Sequence, residues 1–122
     1  MAWILDDSRP IYLQIEGLIK TKIISGVYQP GQKLPSVRDL AAEAAVNPNT
    51  MQKALTELER SGLVYTQRTS GRFITEDTAK MTELKEQIAR EQLQLFLKNM
   101  EQLGLSRDDI RRLLETAWKE ES

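Results

Sequence analysis

Apolar positions in the first 75 residues recur at helical spacing and then at strand spacing. Residues 11–23, 37–44 and 51–58 each carry apolar side chains every three or four positions, which predicts three helices with one buried face. Residues 63–67 and 72–75 are strand-like and flank a short polar tip. The order predicted is therefore three helices followed by a hairpin.

Capping residues place the ends of the second and third helices. Ser36 is suited to cap the second helix, with Asp39 three residues later as the short partner of a capping box. Val46 marks a tight turn. Asn47 is a good cap for the third helix, and Pro48 suits its first position, where no N–H is needed. The predicted fold class is mainly α with a small antiparallel β wing, namely a winged helix-turn-helix.

Two short segments before the second helix have patterns that allow more than one interpretation. Gln32 to Leu34 is short and extended, so it is a candidate third strand beside the wing. Lys20 and Lys22 lie near the end of the first helix, where a positive charge suits the helix dipole. We interpret both as solvated lysines, with contact to DNA as the alternative.

A second helical region is predicted after residue 77. We expect a DNA-binding domain over 1–77 and a helical dimerisation region over 78–122. Gly104 separates two amphipathic helices, and Ser106 begins a capping box for the second. Two such helices cannot bury their apolar faces alone, so a second subunit is expected to cover them. The predicted dimerisation residues, several at coiled-coil spacing, are Leu84, Ile88, Ala89, Leu93, Phe96, Met100, Leu103, Ile110, Leu113, Leu114 and Trp118.

The third helix begins with polar side chains that match the chemistry of a DNA major groove. Thr, Asn and Gln exchange hydrogen bonds with base edges, and Lys reaches a phosphate. The start of the second helix and the basic wing are expected to contact the DNA backbone. The predicted DNA-binding residues are Ser36, Arg38, Asn47, Asn49, Thr50, Gln52, Lys53, Arg68, Thr69, Ser70, Gly71 and Arg72.

Three motifs carry a resemblance to a known family. They are Pro30-Gly31-x-x-Leu34-Pro35-Ser36-x-Arg38-x-Leu40-Ala41, Val46-Asn47-Pro48-Asn49-Thr50, and Ala54-Leu55-x-x-Leu58-x-x-x-Gly62. Over residues 8–77 the chain resembles the GntR family of bacterial transcription regulators, and its short tail resembles the YtrA-type subgroup. The resemblance implies a homodimer on a palindromic operator, and we expect a repressor. Pro48 and Gln52 replace frequent arginines of the family, and Thr69-Ser70-Gly71 replaces the usual Gly-x-Gly of the wing.

Composition narrows the function further. The 122 residues include no Cys and no His, which excludes thiol nucleophiles, imidazole acid–base chemistry and Cys/His zinc sites. We therefore expect no enzyme, no metal and no cofactor. No apolar run approaches the roughly 20 residues of a membrane span, and the first residues are acidic rather than basic. The predicted location is the cytoplasm, without a membrane partner.

Charge is the one observation against DNA as the partner. The net charge is −1, whereas affinity for DNA comes largely from cations that meet phosphates. Between Lys33 and Thr75, however, the sequence has six basic residues and only four acidic ones. The alternative function is a winged-helix module that docks on proteins without binding DNA. A small-molecule effector of unidentified chemistry is a further candidate partner.

Overall fold

The computed structural model describes residues 3–121, which form five helices and one two-stranded antiparallel sheet. The predicted fold class is confirmed. The chain divides into two compact units between Glu83 and Leu84, and this division falls inside the fourth helix. The elements are α1 (Ile11–Ile24), α2 (Val37–Ala44), α3 (Pro48–Ser61), β1 (Val64–Gln67), β2 (Gly71–Ile74), α4 (Thr78–Gln102) and α5 (Arg107–Glu121).

The core of the first unit lies where α1 and α2 pack against α3. The buried stripe of α3 consists of Met51, Ala54, Leu55 and Leu58. It meets the isoleucines of α1 and the short apolar face of α2, where Leu40 is fully buried. Each large side chain removed from water stabilises the fold by roughly 1.5–3 kcal/mol. Because α3 has its apolar residues on one face, this packing leaves its polar first turn outside.

Local hydrogen bonds fix the helix ends at the predicted positions. The Ser36 hydroxyl accepts a bond from the Asp39 N–H at 3.1 Å, and the Asn47 side chain accepts one from the Asn49 N–H at 2.7 Å. In the turn between α2 and α3, the residue with the left-handed conformation is Ala45, with φ +57°. The sequence had placed this turn at Val46. A side chain at this φ is strained, so the turn is held by the packing of the helices on either side.

The wing pairs β1 with β2, with Tyr65 opposite Phe73 and Thr66 opposite Arg72. The predicted third strand is present only as a single antiparallel bridge between Lys33 and Phe73. Its hydrogen bonds include one from the Leu34 N–H to the carbonyl oxygen of Arg72 at 2.9 Å. The segment before α2 is therefore fastened to the wing.

Lys22 is buried, so its interpretation as a solvated lysine is wrong. Its ammonium lies 3.9 Å from the ring centroid of Trp3 and 4.0 Å from a carboxylate oxygen of Glu43. The Trp3 indole N–H donates to the same carboxylate at 3.2 Å. The aromatic ring and the carboxylate replace part of the hydration that the ammonium loses on burial. The cluster links the segment before α1 to α2.

The second unit exposes most of its apolar residues. Within Thr78–Gln102 and Arg107–Glu121, Ile110 is the one buried residue. The Ser106 hydroxyl and the Asp109 carboxylate form the expected capping box. Ile110 was predicted to face a partner, but it is 2% exposed in the single chain and offers no free surface. The exposed large apolar side chains are Leu93, Leu95, Phe96, Leu103, Leu113, Leu114 and Trp118.

Ala45→Gly is expected to raise the free energy of unfolding by about 0.5–1 kcal/mol, because glycine relieves the left-handed strain. Urea denaturation followed by circular dichroism measures this change. Ala42→Gly, at an exposed position inside α2, is the matched control and should cost about 1 kcal/mol. Equal losses for both variants would show that Ala45 is not strained.

Candidate nucleic-acid interface

The first turn of α3 presents a row of polar side chains. Asn49, Gln52 and Lys53 are exposed and Thr50 is half-buried. Gln52 makes one long side-chain contact, from its amide nitrogen to the Thr56 hydroxyl at 3.4 Å. Such a contact is easily exchanged for a better partner. The arrangement offers donors and acceptors at the end of a helix that is free on this side.

Lys53 has a neighbour that sequence reasoning missed. Its ammonium lies 4.0 Å from the centroid of the Tyr12 ring in α1. A cation over an aromatic face is attracted by about 0.5–1 kcal/mol at an exposed site. The positions are 41 apart in sequence, so no local pattern could have indicated the pair. Tyr12 restricts the long side chain of Lys53 before any partner binds.

The start of α2 lies at a second exposed surface. Ser36 uses its hydroxyl as the helix cap, and Arg38 in the first turn is exposed. Over residues 3–121 the structure gives Arg38 no ion pair. Its charge is therefore available to an anionic partner.

The wing tip is exposed from Arg68 to Gly71. The Ser70 N–H donates to the Gln67 carbonyl oxygen at 3.1 Å and closes the turn. Gly71 has φ +106°, a conformation that side chains rarely adopt. The departure from Gly-x-Gly therefore leaves glycine at the position that needs it.

Arg72 lies on the face of the hairpin that meets α3. Its Nε donates to a Glu59 carboxylate oxygen at 2.6 Å, and the Thr66 hydroxyl donates to the same oxygen at 2.7 Å. Since Thr66 and Arg72 are opposite one another in the sheet, both strands are fastened to α3 through one carboxylate. Sequence analysis placed Arg72 toward the DNA backbone and missed this partner.

The charge state of Glu59 follows from these contacts. Burial alone would raise the pKa of Glu59, but the hydrogen bonds from Thr66 and Arg72 and the charge of Arg72 lower it below its ordinary value of 4.5. The carboxylate is therefore ionised at neutral pH, and the contact between wing and α3 is charge-assisted.

These features define a class of protein. An exposed polar helix start, a preceding helix with a free arginine, and a hairpin fastened to the recognition helix form a winged helix-turn-helix. Among residues 3–121 no group of three or more acidic, histidine or cysteine side chains could hold a metal ion. None of the helices within residues 3–121 combines the length and the hydropathy of a membrane-spanning segment.

Comparisons of the sequence agree with this class. Residues 11–74 match the family described as "Bacterial regulatory proteins, gntR family". The uncharacterized HTH-type transcriptional regulator YhcF of Bacillus subtilis is 45% identical over 103 residues, covering 84% of this chain and 85% of that protein. The HTH-type transcriptional repressor YtrA of the same organism is 46% identical over 87 residues, covering 66% of this chain and 67% of that protein.

Solved structures give the same result. A GntR family transcriptional regulator from Listeria monocytogenes superposes with a TM-score of 0.85 at 40% identity, covering 92% of this chain and 98% of that chain. The DNA-binding domain of AraR, solved with operator ORX1, gives a TM-score of 0.55 at 27% identity over 59% of this chain and 93% of that chain. The chain belongs to the gntR family and, within it, to the YtrA-type subgroup. It is a DNA-binding transcription regulator.

Glu59→Gln is expected to lower the free energy of unfolding by about 0.5–1 kcal/mol near neutral pH, because it removes a half-exposed ion pair. The pKa of Glu59 is lowered in the folded state. Its contribution is therefore present above about pH 4.5 and is lost as the pH falls through the lowered folded pKa. The difference between wild type and variant should shrink toward zero in acid. Urea denaturation over a pH series measures it.

Glu57→Gln is the control for this series. Glu57 pairs with the exposed Arg60 one turn away on the same helix, at 3.3 Å. Its loss should cost only about 0.2–0.5 kcal/mol. A constant difference between wild type and Glu59→Gln at every pH would contradict the role given to the Glu59 carboxylate.

Proposed function

We propose that this regulator is a repressor that binds a palindromic operator as a homodimer. The observation that carries the proposal is that the polar start of α3, the start of α2 and the wing tip are all exposed. A two-fold dimer presents two such helices, so its operator needs two inverted half-sites about one helical turn apart, or a multiple of that. A dimer bound to the operator would then block access of RNA polymerase to the same DNA.

Individual side chains take different roles in this proposal. Asn49, Thr50 and Gln52 contact base edges, and Gln52 is suited to adenine N6 and N7. The first turn of α3 holds no arginine, so sequence reading depends on amides and hydroxyls. The backbone contacts are assigned to Ser36, Arg38, Asn47, Lys53, Arg68, Thr69, Ser70 and Gly71, and Arg72 supports them by bracing the wing.

The homodimer is supported by the exposed apolar face of the second unit. Leu93 is 53% exposed, Leu103 75% and Trp118 78%. Leaving such side chains in water forgoes roughly 1.5–3 kcal/mol each. A second copy of the same helices is the partner that satisfies this face by symmetry. An effector, if the protein binds one, would find its site between the subunits.

The proposed site of action is the cytoplasm, where bacterial DNA lies. We assign no cofactor and no catalytic role, since the relatives carry the names of transcription regulators. Fluorescence anisotropy with random duplex at low salt tests the function directly. Binding that weakens steeply with added salt is the expected result. Absence of binding at tens of micromolar would favour the protein-docking alternative.

Gln52→Ala should relax the preference at one base position of the operator half-site, because it removes a bidentate amide. Selection from a randomised duplex library, followed by sequencing, measures the preference. Lys53→Ala is the control: it should weaken all sequences alike and reduce the salt slope by about 1 per bound subunit. An unchanged selection profile for Gln52→Ala would refute its assignment to a base edge.

Leu93→Asp should weaken self-association by on the order of a hundredfold, because both subunits lose a large apolar contact and gain a charge. Sedimentation equilibrium measures the association constant. Gln94→Asp introduces the same charge at the next exposed position, on a different face of α4, and should have little effect. A wild-type chain that stays monomeric while binding its operator normally would overturn the homodimer.

A further inference from the structure

Lys33 lies on the segment just before α2. It is exposed, and it forms the single bridge to Phe73 in the wing. Its side chain runs along Gly71: Cε is 3.2 Å and Nζ 3.9 Å from the place where a Gly71 Cβ would stand. The ammonium of Lys33 therefore lies at the wing tip, although Lys33 itself is not part of the hairpin.

Lys33 and Arg72 lie on opposite faces of the sheet. Residues directly opposite each other on antiparallel strands share a face of the sheet, and so do residues two positions apart on one strand. Lys33, Gly71 and Phe73 share one face, on which Phe73 stacks with Tyr65 at a centroid distance of 5.8 Å. Arg72 lies on the other face, where Glu59 holds its guanidinium.

The ion pairs of the first unit leave Lys33 available. Three of the four carboxylates between residues 33 and 75 are paired, through Glu43 with Lys22, Glu57 with Arg60 and Glu59 with Arg72. Across residues 3–121 the structure gives Lys33 no ion pair. Its charge is not neutralised by the protein.

Lys33 also lies in a groove of about 730 Å³ between the wing tip and the start of α2. Ser36 lines one side of the groove, and Ser70 and Gly71 line the other. The proposed function assigns these three residues to contacts with the DNA backbone. Asp39 and Arg72 line the groove as well. The guanidinium of Arg72 is paired with Glu59, whereas Lys33 forms no ion pair with Asp39 or with any other carboxylate of residues 3–121.

We propose that Lys33 is a DNA-backbone contact of the wing, whose ammonium meets a phosphate between the α2 start and the wing tip. This inference rests on the proposed DNA-binding function. Lys33 supplies the charge that Arg72 would otherwise bring, because Arg72 is held by Glu59 on the opposite face. Gly71 has a second role here, since a Cβ at this residue would press on the Lys33 side chain.

Lys33→Met tests the proposal with the full-length chain and a duplex obtained by library selection. Fluorescence anisotropy is measured over a salt series, on the selected duplex and on random duplex. The variant should bind both duplexes more weakly, and its salt slope should fall by about 1 per bound subunit. Lys33→Arg should restore the slope, because it restores the charge. Lys98→Met, on α4 in the second unit, removes the same charge elsewhere and should leave the slope as in wild type.

The outcomes separate this inference from the function on which it rests. A Lys33→Met slope equal to wild type, with wild type binding normally, overturns the role of Lys33 and leaves the proposed function intact. A wild-type protein that binds neither duplex overturns the proposed function and this inference with it. Thermal unfolding of Lys33→Met and Lys33→Arg is the folding control. If Lys33→Met unfolds early and Lys33→Arg does not restore the slope, the residue is structural and the proposal fails.

Discussion

The packing of α3 on α1 is the constraint on which the DNA-binding unit depends. Burial of Met51, Ala54, Leu55 and Leu58 fixes the rotation of α3 about its own axis. This rotation decides which side chains of its first turn stay outside. The same packing places Tyr12 beneath Lys53, so one apolar contact between two helices sets both the reading surface and the position of its nearest cation.

The wing depends on α3 in turn. Glu59 receives hydrogen bonds from both strands of the hairpin, so the hairpin follows the recognition helix as one body. An unpaired carboxylate repels phosphates, but the carboxylate of Glu59 is paired with Arg72. The net charge of −1 therefore says little about the surface that faces DNA, because several acidic residues are paired within the unit.

Local features were predictable from the sequence and contacts between distant residues were not. Caps such as Ser36 and Asn47 act within three residues, so their chemistry is visible in the order of residues. Lys22 carries the same local signal as a solvated lysine, and only the fold brings Trp3 and Glu43 to it. Arg72 and Glu59 are 13 positions apart and lie on elements of different type. Most of the predicted interface residues are exposed, whereas Thr50 and Arg72 are half-buried. Partners such as Glu59 became visible only in the three-dimensional structure.

The two tryptophans lie in different compact units, Trp3 in the first and Trp118 in the second. The indole of Trp3 sits against an ammonium and a carboxylate, whereas that of Trp118 is 78% exposed. Replacing either one with phenylalanine leaves a single tryptophan, whose emission can be excited selectively over that of the three tyrosines and reports on one unit alone. Loosening of the DNA-binding unit and burial of the carboxy-terminal helices can thus be observed as separate optical signals without an added label.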